Sequence, residues 1–147
     1  MAQAFYSFLF GIVGVVIGWP LVEFIARPFR QFFDIRRQVC RCIVNYGNVG
    51  ARAEIDRSGK RIPTKLPKAD DARLVQAHIA LRGLAADMRA FANGEYLANK
   101  VVKLFGYDAN KIASALMAYS HNIFEKGEDR AKSREQVEKL LGIKSIE

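Results

Sequence analysis

The chain has 147 residues and carries 23 lysines and arginines against 15 aspartates and glutamates, a formal net charge of +8. The two cysteines and two histidines do not have the spacing of a zinc site. No internal repeat or low-complexity tract interrupts the sequence, which excludes solenoid and fibrous architectures.

The first element is an apolar run over residues 4–22, AFYSFLFGIVGVVIGWPLV, with no charge before Glu23. Nineteen residues at about 1.5 Å each reach roughly 28 Å, near the hydrocarbon thickness of a bilayer. A cleaved signal peptide would need a basic leader and a small-residue cleavage site, and GWPLVEFIARPFR supplies neither. The run therefore predicts an uncleaved transmembrane anchor over residues 1–26. All lysines and arginines follow it, which predicts an outward amino terminus and a cytoplasmic remainder, as in a bacterial inner membrane. Trp19 falls near the inner membrane interface and Phe5 and Tyr6 near the outer one. Glu23 lies one helical turn before Arg27 and is placed to pair with it.

One face of this segment is small. Ser7, Gly11, Gly14 and Gly18 recur at spacings of four, three and four, a single helical stripe on which another transmembrane helix can pack closely. The stripe does not distinguish a homo-oligomer from a foreign subunit.

Residues 27–46 predict a basic amphipathic juxtamembrane helix. Phe29, Phe32, Phe33, Val39, Cys40 and Ile43 recur at helical spacing, while Arg30, Arg37 and Arg41 fall largely on other faces. Pro28 suits a first turn and is placed to break direction after the anchor. The helix either lies in the membrane interface, with Trp19, Phe29, Phe32 and Phe33 in the headgroup layer, or packs on the domain. Residues 27–68 carry a net charge of +8, residues 69–147 only +1. The basic character is thus membrane-proximal, and an anionic leaflet accounts for it better than nucleic acid does. Arg27, Arg30, Arg36, Arg37, Arg41, Lys60 and Arg61 are the candidate anionic-lipid contacts.

Cys40 and Cys42 lie about 200° apart on a helix, so one metal ion could not readily take both, and two free thiols are expected. Residues 47–69 read as a basic connector with glycine and proline, fitting a brief hairpin around positions 56–60. Residues 70–147 read as a cytoplasmic helical domain. Asp70 caps a long helix to about Asn93, with Leu74, His78, Leu81, Leu84 or Ala85, Met88 and Phe91 on its inner stripe. His78 is expected to be partly buried and hydrogen-bonded. A short helix with Tyr96, Leu97, Val101, Leu104 and Phe105 as its apolar positions closes at Gly106. Asp108 caps the next, and Ser133 with Gln136 forms a capping box before a last helix that ends at Gly142.

The fold class expected is all-α: one transmembrane helix, a juxtamembrane amphipathic helix and a small helical bundle. The chain holds no phosphate loop, nucleophile elbow, metalloprotease helix or paired catalytic carboxylates, and calls for no cofactor or metal. The reading it favours is a non-enzymatic, single-span accessory or scaffold subunit. An oligomeric membrane-perturbing or channel-forming effector is the first alternative, and a small membrane-proximal enzyme or ligand-binding module the second.

Overall fold

The computed structural model describes residues 2–50, 52–55, 60–63 and 65–143; within these, the side chains at 2, 4–6, 8–10, 12, 53–55, 61–63 and 126 lie outside the description. The class is all-α. Helices α1 (Ala2–Leu21), α2 (Arg27–Tyr46), α3 (Lys68–Gly94), α4 (Tyr96–Leu104), α5 (Ala109–Asn122) and α6 (Glu128–Leu140) are accompanied by three strands of two or three residues.

Pro28 does not break the chain as the sequence suggested. Between α1 and α2, Val22–Ala26 continues as a π-helix, with helical dihedrals at Leu21, Ala26 and Arg27 on either side of it. Lacking an N–H, Pro28 leaves the Phe24 carbonyl without its α-helical donor, and the Arg27 N–H reaches back to the Val22 carbonyl, five residues away. The ring sits at the start of α2, where a missing donor costs least. Glu23 and Arg27 form the anticipated ion pair.

Among the described residues, no helix is long and apolar enough to cross a membrane. The expected span over 4–22 is not met within them.

The bundle is built around α3, which packs against α2 and α5, with α6 against α5. Its buried side chains Leu74, Leu81, Leu84, Ala85, Met88 and Phe91 follow the three-and-four spacing that the sequence shows. From α2 come Phe32, Ile35, Val39, Cys42 and Ile43, so this helix packs on the domain. Phe32 is fully buried, its ring 5.6 Å from Phe91 and 5.4 Å from Tyr107. Ile112, Leu116 and Tyr119 of α5 and Val137 and Leu141 at the end of the chain complete the core.

Three expected helix caps resolve differently. The Asp108 carboxylate accepts from the Asn110 and Lys111 backbone N–H groups at 3.1 and 3.2 Å, as a cap should. Asp70, by contrast, lies inside the first turn of α3, because the helix starts earlier behind Pro67. Ser133 is also inside its helix: α6 opens at Glu128 behind Gly127, and the Ser133 hydroxyl donates to the Asp129 carbonyl at 2.8 Å. At the other ends, Gly106 (φ 87°) and Gly142 (φ 61°) take the left-handed conformation that closes α4 and α6.

Residues 47–69 contain the hairpin. Strand β1 (Ala53–Ile55) pairs antiparallel with β2 (Arg61–Pro63), Glu54 opposite Ile62, while the turn at 56–59 lies outside the described residues. A two-residue strand β3 (Glu125–Lys126) joins β1 in parallel, giving the order β2-β1-β3 and tying the hairpin to the end of α5.

Candidate functional site

The predicted site residues divide into those that the bundle uses and those that it leaves outward. Phe32 belongs to the first group. Its ring has no exposed surface, so its expected place in the headgroup layer gives way to the core. Phe29 and Phe33 are half-buried, 4.9 Å apart at their ring centroids, and pack against the same core. Trp19, on α1, is exposed.

The arginines divide similarly. Arg36 is half-buried; its Nε donates to the Leu141 carbonyl at 2.9 Å and its guanidinium lies 5.8 Å from the Tyr107 ring centroid. Arg27 is held by Glu23, and Arg37 lies 3.6 Å from Asp34. Arg30, Arg41 and Lys60 are exposed; the Arg61 side chain lies outside the described residues. An open cleft between α2 and α3 brings Arg27, Arg30, Asp34, Gln38 and Asp87 together, a lining of mixed sign that favours no single ligand charge.

Along α1 the small stripe is open. Gly11 and Gly14 are exposed and Gly18 half-buried, and a Cβ placed at any of the three meets nothing within 4 Å. The Ser7 hydroxyl donates to the Gln3 carbonyl at 3.1 Å, so it adds no outward donor. The flanking side chains of α1 and the π segment are exposed as well: Val13, Val15, Val16, Ile17, Leu21, Val22 and Phe24, with Val15 at 72%. A single exposed leucine or valine is ordinary on a protein surface; here exposed apolar side chains surround α1 and continue along the π segment.

The sequence missed the orientation of α4. The residues turned inward are Ala98 and Val102, whereas Tyr96, Leu97, Leu104 and Phe105 face outward, Leu104 with 87% of its surface exposed. The helix packs on the π segment, and Phe105 lies 5.7 Å from Phe29. The available signal was the pair of small inward residues, four apart, with Lys100 and Lys103 on the flank of the opposite face.

Several of the remaining polar candidates are tied into the bundle. His78 Nδ1 donates to the Ser120 carbonyl at 2.8 Å, which explains its place on the α3 stripe. The His121 ring lies 6.1 Å away and is exposed. Both cysteines are free; burial pushes the Cys42 thiol up to about 11, far from a reactive thiolate. Arg130 donates to the Val49 carbonyl at 3.0 Å, and burial pushes the neighbouring Tyr119 phenol up, with Arg130 and Arg134 opposing. Arg134 Nε donates to the buried Glu138 carboxylate at 2.7 Å. Among the described residues, no three histidine, cysteine, aspartate or glutamate side chains gather as metal ligands would.

Comparison of the chain with protein-family models, curated proteins and solved structures finds no match.

Proposed function

We propose that the chain is a non-enzymatic, membrane-anchored adaptor, in which α1 enters the bilayer and the helical bundle is held at its inner surface to meet a partner subunit. The observation that carries this reading is the exposed apolar face of α1 and the π segment, continuous with an uncharged sequence run over 4–22. Leaving such a surface exposed to water is costly, at roughly 25 cal/mol per Å² of apolar area, and lipid removes that cost. The exposed Arg30 and Arg41, beyond the run, suit anionic headgroups. The open Ser7, Gly11, Gly14 and Gly18 stripe suits a second helix within the bilayer, from another copy or another subunit.

Carbonate extraction of membranes from cells expressing the full chain tests the anchor. The protein should remain in the pellet at high pH and leave it only in detergent. Recovery in the aqueous supernatant would overturn the reading. The packing stripe has its own test: Gly14→Leu with Gly18→Leu should leave the protein in the membrane and reduce the size of the particle purified in mild detergent. An unchanged particle would remove the stripe from the proposal and leave the anchor.

A further inference from the structure

We infer that α4 is a second lipid-contact element, seating the bundle on an anionic membrane surface beside the point where α1 joins it. The inference rests on the lipid reading of α1 and adds a site which that reading does not use.

At about 100° per residue, Leu97, Val101, Leu104 and Phe105 fall within an arc of about 100° on one side of α4. Leu97, Leu104 and Phe105 are exposed and Val101 half-exposed, although the same helix has buried Ala98 and Val102 on the bundle. A nine-residue helix that turns its smallest apolar residues inward and its largest outward is arranged for a second contact.

Three observations identify lipid as the occupant. The first is position: α4 packs on the π segment that continues α1, and Phe105 at its end lies 5.7 Å from Phe29 of α2. A surface that reaches lipid through α1 brings α4 with it. The second is charge. Lys100 and Lys103 lie along the free edge of the apolar arc, opposite the buried Ala98 and Val102, and the helix itself contains no acid, which suits anionic headgroups. Lysine is depleted in protein–protein interfaces, so these flanks fit a partner protein poorly. The third is the aromatic edge. Tyr96 is exposed with the Lys100 ammonium 4.4 Å from its ring centroid, an amphipathic pair suited to the headgroup layer.

The test uses the full chain and its single tryptophan, Trp19. The native protein reports lipid contact at α1, and the double variant Trp19→Phe with Phe105→Trp moves the reporter to α4. Both are mixed with phosphatidylcholine–phosphatidylglycerol vesicles that carry brominated acyl chains, at matched protein concentration. The inference requires the indole at position 105 to shift to the blue and lose at least half of its emission to the brominated lipid. It also requires at least twofold weaker quenching in vesicles of phosphatidylcholine alone. Adding Leu104→Glu, at a position with no burial to lose, should abolish the effect without changing the helical circular dichroism. Quenching at Trp19 but not at position 105 would overturn the inference and leave the anchor standing. Quenching at 105 alone would keep it and remove the anchor. Silence at both positions would remove both. A blue shift at 105 that grows with protein concentration and ignores brominated lipid would assign the face to a second copy and overturn the lipid contact.

Discussion

Arg36 of α2 donates through Nε to the carbonyl of Leu141, 105 residues further along the chain, and so joins the first bundle helix to the end of the last. A charged donor on a carbonyl in a half-buried setting contributes about 1.5–3 kcal/mol. Arg36→Gln should therefore lower the melting temperature by several degrees, since about 1 kcal/mol moves a domain of this size by roughly 2–4 °C. Arg37→Gln, whose partner Asp34 is also exposed, should change the midpoint by less than about 1 °C. Thermal unfolding followed by circular dichroism checks the pair side by side.

Phe32 gives a sharper test of whether α2 belongs to the bundle. Its ring is fully buried among Phe33, Phe91 and Tyr107, and truncation to alanine in such a site costs about 3–5 kcal/mol. Phe32→Ala should lower the melting temperature on the order of 10 °C. A loss of only a degree or two would mean that α2 leaves the core in solution.

The Arg52–Asp71 pair sets an acid limit. The hydrogen bond from the Arg52 guanidinium, stacked 4.8 Å over the Phe124 ring, holds the Asp71 carboxyl below its ordinary range. A group with a lowered folded pKa stabilises the fold above its unfolded value, about 3.9, and that contribution is lost as pH falls through the folded value. The melting-temperature difference between the native chain and Asp71→Asn should be constant from about pH 5 to pH 8 and shrink below about pH 4. Melting curves across that range provide the measurement.

The two thiols should separate kinetically. Cys40 is half-buried, whereas Cys42 is buried, with its thiol pushed up to about 11. At pH 8, maleimide should modify Cys40 first and reach Cys42 only when denaturant opens the bundle; mass spectrometry of digested samples reads the order. Burial of the neutral thiol stabilises the fold below about pH 9, and this contribution fades as pH climbs toward 11.

What was legible in the sequence was the short-range physics. The three-and-four spacing along α3 marks residues that do face the core, and Asp108, Gly106 and Gly142 punctuate helices where their side chain or free φ allows. His78 is hydrogen-bonded on its apolar stripe, as a lone histidine there must be. The failures have tertiary causes. On α4 the larger apolar side chains outnumber the smaller, yet the space beside α2, α3 and the π segment admits only Ala98 and Val102. On α2, Cys42 is buried more deeply than Cys40, because the inner stripe runs through Ile35, Val39 and Cys42. Strand β3 has two residues, too few to show any period, and exists because β1 offers an edge at the end of α5. Among the proposed site residues, Phe32 and Arg36 show the same limit: sequence spacing marks them as apolar and basic, and only packing decides that both are spent inside the protein.

The π segment sets the azimuth of everything before it. Its wider turn takes up an extra residue, so α1 is rotated by about 100° relative to a straight α-helical continuation of α2. Deleting one residue from Val22–Ala26 would leave the core stripe of α2 in register and swing the glycine face of α1 a quarter turn around its axis. Which way the glycine stripe of α1 points relative to the bundle is thus encoded by one residue between two prolines.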